Sequence, residues 1–265
     1  MRLRRHLQDV MELLVTGSGT AVPSVRRCAA GYSIAVAGSR LQIDTGPGTL
    51  RQLARFGIQP NDIDLLCYTH IHPDHVCEIV PFLFASRYGQ APARDRPLYL
   101  LGGEGFAAFL AAQQAVYGHW LVPERFALVV HEISTRGEDQ WRGNGFTLRT
   151  RPMNHIATSI AFRVEEHATG RSLVFSGDTD VTDELAVLAR ETDLLICECS
   201  NPEGQKVAGH LIPSEVGRMA AASGCRRLLL THFYPACDTA DLLTPLRAHY
   251  PGPVELAEDG LRIAL

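Results

Sequence analysis

The segment 64–80, DLLCYTHIHPDHVCEIV, crowds His70, His72, Asp74 and His75 into six positions at the end of an apolar run. Imidazoles two residues apart on an extended segment project to the same side, so His70 and His72 can reach one cation. Asp74 and His75 follow Pro73, where a helix is expected to begin. Four potential ligands therefore leave one short strand-to-helix loop, which is stiff and accessible, as a metal site requires. Three further donors stand beside other apolar runs: His155 in RPMNHIATSIAFRV, Asp178 in LVFSGDTD and His232 in RRLLLTHFYP. Alone, each reads more readily as a capping aspartate or a hydrogen-bonded histidine at a strand end than as a ligand. Together they complete a set of seven, in which one metal takes His70, His72 and His155, a second takes Asp74, His75 and His232, and Asp178 bridges. Imidazole and carboxylate donors in this proportion suit two divalent ions, Zn²⁺ foremost, with Mn²⁺ or Fe²⁺ at the more oxygen-rich side. Two cations sharing a carboxylate lower the pKa of a water from about 15.7 toward about 7 and supply hydroxide at neutral pH, which is hydrolytic chemistry.

Holding such donors needs short buried strands that end in loops. Runs of β type bounded by Gly, Pro or Asp recur at 12–16, 31–37, 40–44, 64–68 and 97–101, then near 126–132, 145–151, 157–164, 171–176, 193–198, 226–231, 254–257 and 261–264. Helical patterns fall near 48–57, 75–87, 104–117, 182–190 and 213–223. The reading is mixed α/β, with hairpins as well as crossovers. With 265 residues and 46% hydrophobic content, one undivided domain is expected over 11–265. Residues 1–10 read as an N-terminal extension, because MELLVTGSG from Met11 looks like a natural start.

Composition narrows the function. A net charge of −4 and a pI near 6.3 give no global basic field for a polyanion, although bound metal ions add local positive charge. Lys206 is the only lysine among 25 basic residues and is read as a coding bias toward arginine. No apolar run approaches the roughly 20 residues that span a bilayer, and the start has no secretory h-region, so a cytoplasmic protein without a membrane partner is expected. Seven scattered cysteines are read as reduced thiols. Cys197 and Cys199 are assigned to core packing. Cys28, Cys77, Cys225 and Cys237 are given no role.

The motifs GSGTAVPS (17–24), DTGPG (44–48), THIHPDH (69–75), NH (154–155), SGDT (176–179), CECS (197–200), GHL (209–211) and THF (231–233) together resemble the metallo-β-lactamase-fold hydrolases, in particular the ribonuclease Z branch and its small phosphodiesterase relatives. They run from residue 12 to the end in the family's order. The resemblance implies an αβ/βα four-layer sandwich with a dinuclear site at one edge. It implies that His210, steadied by Glu198, protonates the leaving oxygen, that Asp74 helps to orient the water, and that Asp44 hydrogen-bonds a metal-binding histidine. Relatives are often dimers, and VPFLFASRYGQAP (80–92) has the residues for a homodimer contact, although the same run reads as an ordinary core helix.

Ribonuclease Z proper carries a tRNA-clamping arm between the segments matching His155 and Asp178. Here those residues are 23 positions apart, and a hairpin over 157–176 uses that length. The expected activity is therefore hydrolysis of small phosphodiesters or short nucleotides, with long structured RNA disfavoured. Alternatives are ribonuclease Z-type tRNA 3′ processing, or lactone, thioester or sulfate-ester hydrolysis on the same site. A non-catalytic metal-binding protein is the remaining class.

Overall fold

Side chains that alternate along a strand separate two apolar clusters. Leu13 and Val15 enter one cluster and Leu14 the other, and Leu65 and Cys67 enter the first while Leu66 enters the second. Strands buried on both faces need a covering layer on each side. The computed structural model, which describes residues 10–89 and 94–265, supplies both layers. Its strands are β1 (Glu12–Gly17), β2 (Gly31–Val36), β3 (Ser39–Thr45), β4 (Leu65–Cys67), β5 (Leu98–Gly103), β6 (Leu128–Ile133), β7 (Asp139–Arg142), β8 (Phe146–Pro152), β9 (Ile160–Glu166), β10 (Ser172–Phe175), β11 (Leu194–Glu198), β12 (Leu228–Thr231), β13 (Val254–Leu256) and β14 (Arg262–Ala264).

They form two seven-stranded sheets, ordered β14-β1-β2-β3-β4-β5-β6 and β13-β12-β11-β10-β9-β8-β7. The first sheet is antiparallel from β1 to β3 and parallel from β3 to β6. The second is antiparallel from β7 to β10 and parallel from β10 to β13. The first cluster joins the sheets, with Tyr32 of β2 packed on Phe175 of β10 at a ring separation of 4.3 Å. Parallel neighbours require crossovers, and helices supply most of them. α1 (Thr49–Arg55), α2 (Pro73–Val76), α3 (Ile79–Tyr88) and α4 (Phe106–Tyr117) pack on the first sheet through the second cluster. α5 (Asp183–Leu188), α6 (Pro213–Ser223) and α7 (Leu243–Arg247) accompany the second sheet.

Several expected elements differ from those observed. The single helix expected over 75–87 is two helices, because the Glu78 amide donates to the Thr45 carbonyl at 2.9 Å and its carboxylate accepts from the Gly48 and Leu50 amides. That residue is anchored to the DTGPG loop and interrupts the helix. β7 and α7 were not anticipated. β7 has one large apolar residue, Trp141, and owes its strand form to pairing with β8 across a turn at Gly145, whose φ is +82°. In α3, Ile79, Phe82 and Leu83 are buried as a core helix requires, while Phe84 and Tyr88 are exposed. Residues 90–92 of the candidate contact run, and residues 1–9 of the expected extension, lie outside the described residues.

Candidate metal centre

The seven donors lie just beyond the carboxyl ends of strands. β4 leads to His70, His72, Asp74 and His75, β8 to His155, β10 to Asp178 and β12 to His232. Both sheets thus deliver side chains to one edge, where open α/β sheets place their ligands.

Asp178 stands between two groups of imidazoles. Its Oδ2 lies 3.8 Å from His70 Nε2 and 3.9 Å from His155 Nε2, and its Oδ1 lies 3.3 Å from His75 Nε2 and 3.4 Å from His232 Nε2. His155 Nε2 is 3.1 Å from His72 Nδ1, and Asp74 Oδ2 is 3.5 Å from His232 Nε2. Donors set tetrahedrally around an ion with bonds near 2.1 Å are about 3.4 Å apart, a spacing these distances bracket. His70, His72 and His155 converge on one point, Asp74, His75 and His232 on a second, and each oxygen of Asp178 faces one of them.

Two buried atoms at this junction, His70 Nε2 and Asp178 Oδ1, have no hydrogen-bond partner. An orphaned buried polar atom costs about 1–3 kcal/mol, and ligation to a cation removes that cost. Burial, reinforced by His75 nearby, holds the His70 imidazole well below its ordinary pKa, so the ring is neutral and has a lone pair to give. Burial alone would raise the Asp178 carboxyl, but His232 and His75 beside it hold it well below the usual carboxylate range. The donor set therefore fits two divalent cations.

A surrounding layer fixes the tautomers. Asp44 accepts from the Thr69 amide at 2.9 Å and the Thr69 hydroxyl at 2.8 Å, and its Oδ2 lies 2.8 Å from His75 Nδ1. Without a cation, burial lowers the His75 pKa, but Asp178 and Asp44 on its two sides outweigh that and hold it well above its ordinary value. With a cation bound, Asp44 would keep the proton on Nδ1 and leave Nε2 free to ligate. The Thr69 hydroxyl also accepts from His70 Nδ1 at 3.1 Å, which leaves His70 Nε2 bare. Ser200 does the same on the other side, accepting from His232 Nδ1 at 3.0 Å and donating to Glu198 Oε2 at 2.5 Å. His155 Nδ1 donates to the Gly209 carbonyl at 2.9 Å.

At the margin of the cluster, His210 Nδ1 lies 3.1 Å from Glu198 Oε1 and 3.9 Å from Asp178 Oδ2. Burial lowers the His210 pKa, but its hydrogen bond to Glu198 and the charges of Glu198, Asp178 and Asp74 outweigh that and leave it above its ordinary value. Glu198 is itself held by the Thr179 and Leu211 amides. Cys197 and Cys199 point into the core, opposite to Glu198, as strand alternation requires. Cys28 belongs to no donor group among the described residues. Its thiol is pushed up to about 11 by burial and by Asp259 beside it, and it takes an amide hydrogen from Gln52.

Residues 39–233 match the family described as Beta-lactamase superfamily domain. The chain belongs to that family. It is 28% identical to the Ribonuclease Z of Thermobifida fusca (strain YX), over 96% of this chain and 94% of that protein. It is 32% identical to the uncharacterized protein Rv1339 of Mycobacterium tuberculosis, over 81% of this chain and 77% of the other. Its fold matches the metallo-β-lactamase fold protein YhfI from Bacillus subtilis with a TM-score of 0.82 at 23% identity, covering 97% of this chain and 100% of that one. The two facing sheets with helices outside are the metallo-β-lactamase fold, the αβ/βα sandwich that the motifs imply.

For this metallo-β-lactamase-fold chain, the histidine and aspartate cluster has the arrangement of the family's two-metal hydrolytic site. No role is expected of Thr69 or Ser200 from the sequence, although Thr69 adjoins His70 and Ser200 lies two residues beyond Glu198 in CECS. A hydroxyl near such a residue was the available signal. Asp180 and Lys206, which touch the segment carrying His210, offered no motif at all.

Proposed function

We propose that this chain is a dinuclear metal-dependent phosphodiesterase acting on small phosphodiesters or short nucleotides. The observation that carries the reading is His210, held by Glu198 at the margin of a cluster able to hold two cations, with its side chain 12% exposed. Two bound divalent ions, Zn²⁺ being the best match to these donors, would bring a neutral-pH nucleophile and charge neutralisation at the phosphoryl group. The protein's own part follows from the distances. His70, His72, His155, Asp74, His75, His232 and Asp178 would hold the ions. Asp74, buried with its Oδ2 3.5 Å from His232 Nε2, can accept a hydrogen bond from the attacking water and aim it. His210 donates its proton to the departing oxygen, and Glu198 fixes the ring for that transfer.

The proton donor separates substrate classes. An alkoxide leaving group needs protonation far more than a p-nitrophenolate or a thiolate does. Metal-loaded protein is expected to hydrolyse bis(p-nitrophenyl) phosphate, with Asp178→Ala inactive. His210→Ala should lose about 10²- to 10⁴-fold on an alkyl diester and much less on the activated one. No turnover of either diester with both metals bound would sink the reading and bring lactones, thioesters and sulfate esters forward.

Similarity to the Thermobifida fusca Ribonuclease Z favours a second reading, 3′ cleavage of precursor tRNA. Three features weigh against it. β9 and β10 are joined by five residues, 167–171, closed by the Glu166 amide on the Arg171 carbonyl, so no arm fits between His155 and Asp178. That alignment spans 312 positions against 265 residues here, so the relative has insertions this chain lacks. The chain also has no net positive charge to neutralise several phosphates. Efficient cleavage of a precursor tRNA would reverse this ranking.

A further inference from the structure

In a chain whose other basic side chains are all arginine apart from histidine, position 206 is lysine. Its Nζ lies 2.6 Å from each of three acceptors: Asp180 Oδ1, Glu215 Oε2 and the carbonyl oxygen of His210. Three acceptors around a single nitrogen match the three diverging hydrogens of an ammonium. A guanidinium spreads its hydrogens over a planar fork and cannot serve all three from one atom.

The partners tie separate parts of the site together. Asp180 lies two residues beyond Asp178, and its other oxygen accepts from the Gly209 amide at 2.9 Å. The Gly209 carbonyl receives His155 Nδ1, and the Leu211 amide donates to Glu198. Glu215 stands in the first turn of α6. The segment 199–212 contains neither a helix nor a strand, so these contacts, rather than a ladder, fix where His210 sits. Without the ammonium, the Asp180 and Glu215 carboxylates would face each other and the His210 carbonyl, and their repulsion would push the segment outward.

We propose that Lys206 is a positioning residue that holds the His210 segment against Glu198 and the Asp178 loop, so that the imidazole meets the leaving oxygen. The proposal rests on the reading of His210 as proton donor. A misplacement near 1 Å costs about 10²-fold in rate. In metal-loaded Lys206→Met, kcat on a dinucleotide, whose leaving group is an alkoxide, should fall by about 10²-fold with KM nearly unchanged, while bis(p-nitrophenyl) phosphate is cleaved at close to the wild-type rate. Lys206→Arg should restore little, because the fork does not fit. Amide hydrogen exchange, which needs no substrate, should accelerate at Gly209 and Leu211 and stay unchanged in β10–β12.

Equal losses on both substrates, recovery with arginine, or unchanged exchange at Gly209 and Leu211 would each overturn the proposal. If wild-type protein turns over neither diester, the phosphodiesterase reading falls, while the exchange measurement still decides whether Lys206 fixes the segment.

Discussion

At the scale of single residues, the site is organised by short-range control of imidazole tautomers. Among the described residues, Asp44 and His232 are two of four non-glycine residues with positive φ, at 54° and 59°. A left-handed conformation costs such residues of order 1–3 kcal/mol and persists only where the surroundings enforce it. Here Asp44 is locked by Thr69 and His75, and His232 by Ser200. Asp44→Asn would put an amide group where only acceptors are wanted, against the Thr69 amide or His75 Nδ1–H. Loss of such an orienting partner weakens metal affinity by about 10- to 100-fold. Competition with a fluorescent zinc chelator would measure it, and an unchanged affinity would show that His75 is oriented by other means.

At the scale of elements, the DTGPG loop and α2 are built as one unit. A Cβ on Gly46 would come within 2.0 Å of the Asp74 carbonyl oxygen and 2.9 Å of the Ala30 carbonyl oxygen, both backbone atoms with no room to retreat. Gly46→Ala must therefore displace the turn that carries Asp74 and His75. Overpacking of this kind costs about 1–3 kcal/mol. Urea unfolding should show that loss together with a reduced content of the second metal. A variant with wild-type metal content would mean that α2 tolerates the shift. The split between α2 and α3 belongs to the same unit, since Glu78 anchors the junction to Thr45, Gly48 and Leu50.

At the scale of the whole molecule, donors from both sheets meet at one edge, so bound metal links halves of the fold that otherwise join through their apolar cluster. A ligand that binds only the folded state stabilises it by about 2.7 kcal/mol at a hundredfold excess over its Kd. For a domain of this size that corresponds to roughly 5–10 °C in Tm. Chelation of the metal-loaded protein should lower Tm by that amount and restoring zinc should reverse it, as read by calorimetry. An unchanged Tm would mean that the seven donors hold no metal tightly.

The sequence alone carried most of the strand and helix pattern and named the seven candidate donors that the fold brings together. Strand endings are written in local residues, as in the apolar run before His70 or the Gly-Asp turn at Asp178, and the motif order pointed to the fold that the structure has. It could not determine what non-local contacts decide. β7 exists because β8 pairs with it, the break before α3 exists because Glu78 reaches back to residues about thirty positions earlier, and the two oxygens of Asp178 face separate imidazole groups only once the sheets have packed. Lys206 is the clearest case. As a letter in the sequence it looked like an accident of codon usage, and only the tertiary structure brings Asp180, Glu215 and the His210 carbonyl around its ammonium. Local propensity acts over a few residues, whereas charge pairing and hydrogen bonding act between whatever groups the packed sheets bring within about 3 Å.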